Sequence, residues 1–135
     1  MDNDRLKDSI RLAFEQESLL EMANLTPKRT GLAVQIWSDH SGILRNKRDH
    51  DKRVKIGTND GYSVLVSIES NPRILAQSSK LRSSNKGNPI WSKIKQGIDY
   101  IGRNYDLFLK HYDDTTDEYD DDDLKDDLRK RGDYK

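Results

Sequence analysis

The sequence holds no cysteine. That excludes disulfides, thiolate nucleophiles and cysteine-ligated zinc or iron–sulfur centres, and it fits a reducing compartment. Hydrophobic residues are scarce, 33% against 36% charged, so the 135 residues have room for one small core plus extensions. No apolar run approaches the ~20 residues that span a bilayer, and residues 1–10 are too polar for a secretory leader. The expected setting is soluble and intracellular, with no membrane partner. The 8 glycines and 3 prolines form no low-complexity tract, and no internal repeat is present. Catalytic signatures are missing too. There is no Gly-x-Ser-x-Gly, no glycine-rich phosphate loop and no His-Glu-x-x-His. Three histidines among 24 acids guarantee chance pairs, and none has a recognisable spacing to a nucleophile. The expectation is no enzymatic activity and no cofactor.

Net charge is also zero, but only in sum. Residues 1–27 carry 3 bases and 6 acids; residues 28–112 carry 16 bases and 7 acids. Residues 113–127 then carry 10 acids and 1 base, and the last eight residues return to +3. A basic body followed by an acidic block of opposite charge implies either self-docking or two separate binding surfaces.

Periodicity supplies the elements. Leu6, Ile10, Ala13, Phe14 and Leu20 mark an amphipathic helix over 4–23, stopped by Pro27. From Leu32 the period becomes two, giving strands over 32–37, 53–57 and 62–69, with a short edge strand over 73–76. Asn59-Asp60-Gly61 joins the middle pair as a hairpin. Asn88-Pro89 opens a long helix to about His111, with Trp91, Ile94, Ile98, Ile101, Tyr105 and Phe108 on one face. A capping box at Thr115 and Glu118, with acids early and bases late, predicts a marginal helix in the acidic block. Asp121–Lys125, Asp126–Lys130 and Asp127–Arg131 are its ion pairs at four-residue spacing. The fold class is therefore α+β. A mainly antiparallel sheet of three or four strands is covered by the long helix, with a helix before it and an acidic helical extension after it. The organisation reads as 1–25 N-terminal helix, 26–112 core and 113–135 acidic tail. Met22-Ala-Asn-Leu25 also reads as a second translation start, which makes 1–21 an addition to a core beginning near Met22. The core is assigned to Val34, Ile36, Val64, Val66 and Ile68 with the six helix residues just named.

Three clusters carry possible chemistry. Asp39, His40, Asp49, His50 and Asp51 share one polar loop, but their spacing fits no metal motif, so no metal site is assigned. His111, at a helix end, suits the helix dipole as a cation. Arg45, Lys47, Arg48, Lys52, Arg53 and Lys55 can track a phosphate backbone, with Trp37 or Tyr62 stacking on bases. The acidic block reads as a solvated tail, as a cover for the basic body, or as a surface that mimics phosphates in a partner's basic groove. In the last reading Asp117, Glu118, Asp120, Asp121, Asp122, Asp123 and Asp127 supply charge, and Tyr119, Leu124 and Leu128 supply apolar anchors.

Met22-Ala-Asn-Leu-Thr-Pro-Lys-Arg-Thr-Gly-Leu32, the Ile36-Trp37 strand and Arg53-Val-Lys-Ile56 open a longer pattern. It continues through the Tyr62–Ser70 strand with Asn71-Pro72 and closes on Asn104-Tyr-Asp-Leu-Phe-Leu-Lys-His-Tyr112. Over roughly residues 22–128 the chain resembles a group of small bacterial and phage proteins with no assigned activity. The order of elements resembles, more weakly, a domain of unknown function from toxin–antitoxin-like loci. The added N-terminal helix and denser acidic tail depart from both. The resemblance implies a compact α+β domain in a phage or mobile-element setting, in the host cytoplasm or the virion, and no catalytic residues. The expected function is a non-enzymatic interaction protein. It docks through the acidic segment on a protein partner, which is a host defence complex, a nucleic-acid-processing complex or other virion proteins. The alternative is a small nucleic-acid-binding module using 45–55, with the tail as intramolecular competitor.

Overall fold

A computed structural model describes residues 22–39, 52–114 and 118–135. The N-terminal helix expected over 4–23 therefore lies outside the described residues as far as 21. So do His40, Arg45, Lys47, Arg48, Asp49, His50, Asp51, Thr115 and Asp117.

The architecture is α+β, built on one antiparallel sheet with strands in chain order. The strands are β1 (Met22–Leu25), β2 (Gln35–Asp39), β3 (Arg53–Gly57), β4 (Ser63–Ser67) and β5 (Ile74–Gln77). Five strands stand where three or four were expected. The fifth is β1, which occupies the end of the expected first helix and pairs with β2 from Met22↔Asp39 to Leu25↔Ile36. Its alternation is only four residues long, with Ala23 and Leu25 buried and Asn24 exposed, too short to stand out against a preceding helical pattern. A single helical turn, α1 (Pro27–Thr30), leads on to β2. Pro27 starts it, and Gly31, at φ 80°, ends it with an N–H donated to the Pro27 carbonyl.

Pairing register sorts the sheet into two faces. Leu25, Ile36, Ile56 and Val64 line up across four strands and are all buried. On the other face Asn24, Trp37, Lys55, Leu65 and Ala76 line up across all five. The β3–β4 hairpin closes through Thr58, whose N–H donates to the Tyr62 carbonyl at 2.8 Å.

The remaining helices are α2 (Ser79–Arg82), α3 (Ile90–Arg103), α4 (Tyr105–Asp113) and α5 (Asp121–Lys130). Asn88 opens α3, its Oδ1 accepting the Ile90 N–H at 3.0 Å. The single long helix expected over 90–111 is in fact two, broken at Asn104 (φ −119°, ψ 20°). The Asn104 amide donates back to the Tyr100 carbonyl and across to Asp133, while its carbonyl accepts the Leu107 and Phe108 N–H groups. An asparagine that competes with the helix ladder for its own partners ends one helix and starts the next. The break and a rotated face alter the expected core. Ile94, Ile101 and Phe108 are buried as expected, Trp91 and Ile98 are half-buried, and Tyr105 is 39% exposed. Ile90, Tyr100 and Leu107 take the vacated positions. Gly97 lies in the middle of the true contact stripe. A Cβ there would meet Ile56 Cγ2 at 2.8 Å and Val34 Cγ2 at 3.0 Å, so the missing side chain lets α3 approach the sheet closely.

The acidic block is part of this core. Leu124 and Leu128 are fully buried, and Tyr119 and Tyr134 nearly so, where α5 packs on α4 and β1. Burial of each leucine is worth about 1.5–3 kcal/mol, several times an exposed ion pair. The capping box lies at Asp120 and Asp123, not at Thr115 and Glu118; each backbone N–H meets the other's carboxylate, at 3.1 and 2.9 Å. Two of the expected helix pairs are replaced by longer-range partners: Arg131 grips Asp106 at 2.5 Å and Asp121 meets His111. Within the helix Asp126 pairs with Arg129 and Asp127 with Lys130, both three residues apart. Beyond α5, Gly132 turns the chain at φ 80°, and the Asp133 N–H closes on the Leu128 carbonyl at 2.9 Å. The last residues are tied down as well. Arg103 holds Asp133 through two bonds, Tyr100 Oη donates to the Asp133 carbonyl at 2.7 Å, and Lys135 exchanges backbone and side-chain bonds with Arg29.

Candidate functional site

Among the residues expected to meet a partner, α5 divides sharply. Leu124 and Leu128 face the core. Tyr119 is buried, its hydroxyl donating to Asp127 at 2.7 Å, its backbone N–H to Asp114, and its ring under Lys110 Nζ at 4.4 Å. Burial, and then the Asp127 carboxylate, push its hydroxyl well above the ordinary tyrosine range. Asp120 and Asp123 cap the helix, and Asp121 bonds His111. What α5 and the residues before it offer to solvent is charge of both signs: Glu118, Asp122 and the Arg129-paired Asp126 are exposed, and Arg129 and Lys130 are exposed at its last turn.

His111 is not the exposed helix-end cation that its position suggested. It is fully buried, with Nδ1 2.8 Å from Ser38 Oγ and Nε2 2.7 Å from Asp121 Oδ1. A neutral imidazole satisfies both, accepting the serine hydroxyl at Nδ1 and donating from Nε2 to the carboxylate. The relay joins β2, α4 and the first turn of α5. It brings together the residue types of a hydrolase triad, but with the ring nitrogens exchanged and with Ser38 itself 0% exposed. A hydroxyl sealed from solvent meets no substrate in this arrangement, so its chemistry here is structural. No spacing in the sequence pointed to it, because its members are 73 and 10 residues apart.

The basic cluster is also divided. Arg45, Lys47 and Arg48 lie outside the described residues. Lys52 is drawn to Asp113 at 2.8 Å, tying the start of β3 to the end of α4. Arg53 and Lys55 are exposed, and strand alternation sets both on the sheet face opposite α3, α4 and α5. Lys55 Nζ sits 5.0 Å from the Trp37 ring centroid, its register partner on β2. Gln35 donates its amide to Asn24 beside them. Further along the row are half-buried Leu65 and exposed Ala76. Two acids border this face: Glu69, whose carboxylate accepts the hydroxyl of Ser67, the register partner of Arg53, and Asp39, which shares the face by register at its β1 end. Tyr62, the other candidate for stacking, sits at the hairpin end under Lys80 Nζ, 4.6 Å from its ring centroid. Lys80 also donates to the Asp60 carbonyl at 2.6 Å.

These two surfaces point apart. Through Leu124, Leu128 and the His111–Ser38 relay, α5 is held on the helical side of the sheet, and Arg53 and Lys55 stand on the other. Among the described residues, no three histidine, aspartate or glutamate side chains gather as a metal cradle, and no helix is long and apolar enough to cross a membrane. No family model, curated protein or solved structure matches the chain.

Proposed function

We propose that this chain is a non-enzymatic nucleic-acid-binding module that works through the open face of its sheet. The observation that carries the reading is the register pair Trp37–Lys55, with Arg53 two residues along β3. Cations there meet phosphates, and the indole offers a stacking surface. Arg45, Lys47 and Arg48 precede β3 in the sequence and lie outside the described residues. The acidic segment does not act as a competitor in this reading, because it is docked behind the sheet.

Docking on a protein partner through the acidic segment is the second reading. The exposed carboxylates Glu118, Asp122 and Asp126 favour it, and the burial of Tyr119, Leu124 and Leu128 weighs against it. Buried side chains cannot anchor a partner while α5 stays docked. A phage or mobile-element setting, in the host cytoplasm or the virion, rests on the sequence motifs alone. The test is fluorescence anisotropy of a labelled oligonucleotide with the full chain at about 50 and 200 mM salt. Binding that weakens with salt supports the first reading. Absence of binding at the lower salt refutes it and turns the search to a partner for the acidic surface.

A further inference from the structure

The same face says which form of nucleic acid it fits. Resting on the reading above, we infer that the ligand is single-stranded, with an unpaired base stacked on Trp37. Duplex recognition relies on an element that enters a groove, an α-helix or a projecting two-stranded ribbon in a major groove about 12 Å wide. The three longer helices here all bury one side against the far face of the sheet. What the open face presents is a shallow row of side chains on strands. Trp37 is half-buried in that row, with Lys55 Nζ 5.0 Å from its ring centroid. A base reaches such a ring only when it is free of its own pair and stack.

The spacing suits one extended strand. Neighbouring strands lie about 4.8 Å apart, and residues two apart on a strand about 7 Å. Trp37 and Lys55 are thus one strand apart, and Arg53 follows Lys55 along β3, so two cations bracket one nucleotide step beside the stacked base. Beyond Lys55 the row turns apolar and small at Leu65 and Ala76, leaving a platform for a second base. Lys55 can move from the indole to a phosphate, because it is exposed and no carboxylate among the described residues binds it. With so few cations on the face the electrostatic contribution is modest. Each phosphate contact contributes about 0.7 to the slope of log affinity against log salt, so Arg53 and Lys55 together account for about 1.4 of it.

The test compares one mixed-sequence strand with its annealed duplex, on the full wild-type chain at one salt concentration. DNA and RNA single strands form separate arms. The single strand is expected to bind at least tenfold tighter than the duplex. Trp37→Ala is expected to lose about 5- to 150-fold on the single strand, the range of one base stack, and Trp37→Phe to recover most of it. Should Trp37→Ala fail to fold, the wild-type ratio and Trp37→Phe still decide. Duplex binding equal to or tighter than single-strand binding overturns the inference and leaves the nucleic-acid reading standing. No binding to either overturns both.

Discussion

Leu128→Ala separates an acidic arm from an acidic helix built into the core. Leu128 is fully buried, as is Leu124 one turn before it, and both belong to one cluster with Ala23, Leu25 and Phe108. Truncation removes the transfer free energy of the lost methyl groups and leaves a cavity, together about 2–5 kcal/mol. A domain of this size holds about 5–15 kcal/mol in all. At about 3–5 °C per kcal/mol, the melting midpoint should fall by roughly 6–25 °C. A loosely held arm stabilised by surface pairs at about 0.2–0.5 kcal/mol each would leave the midpoint almost unmoved. The assay is thermal and urea denaturation followed by far-ultraviolet circular dichroism. Asp122→Asn, exposed on the same helix, is the control, expected to stay within about 0.5 kcal/mol of wild type. Equal midpoints for Leu128→Ala and wild type would refute the packing argument. The same reasoning shows why truncation after residue 112 is a poor probe of the tail: it opens the core that the tail closes.

Three further outcomes follow from the contacts. Gly97→Ala should destabilise by about 1–3 kcal/mol despite better helix propensity, because the new methyl meets Ile56 and Val34; a raised urea midpoint would show that α3 has room to move. His111→Ala should lower the unfolding free energy measured in urea by at least the ~1–3 kcal/mol of stranding the buried Ser38 hydroxyl, and an unchanged midpoint would dissolve the relay. Acid should weaken the fold through Asp106 and Asp133. The Arg131 hydrogen bond holds Asp106 below its ordinary value of 3.8. For Asp133, burial pulls upward and is outweighed by the bonds from Arg103 and Asn104. Both folded-state values are lowered, so their contribution is present above 3.8 and is lost as pH falls through the lowered values. Arg131→Gln should flatten that acid limb in urea titrations at stepped pH, and an unchanged limb would remove Asp106 from the account.

Much of the fold was legible because its signals are local. Val64, Val66 and Ile68 alternate over a full strand, Asn59-Asp60-Gly61 is turn chemistry, and Asn88-Pro89 starts a helix. What escaped was set by contacts between distant residues. Asn104 breaks a helix that hydrophobic spacing carries straight through, since its amide is rewarded by Asp133, which the chain brings back only 29 residues later. Gly97 has no side chain to count, yet it centres the stripe that touches the sheet. Leu124 and Leu128 stand four apart, but seven surrounding aspartates over 120–127 and 133 mask a buried face as a solvated one. Of the candidate site, Arg53 and Lys55 were readable as a pair on one strand face. Their position beside Trp37 was not, because strand register across an intervening loop leaves no trace in the composition.

The most direct measurement is the affinity of a labelled single strand for Arg53→Glu/Lys55→Glu and for Glu118→Lys/Asp122→Lys, each against wild type. It should be made near 0.15 M salt, where the Debye length is about 8 Å and distant charges are screened. The account expects the first variant to lose binding and the second to keep wild-type affinity, since its charges lie on the other side of the sheet. Binding that survives the first change, or that depends on the second, would contradict it.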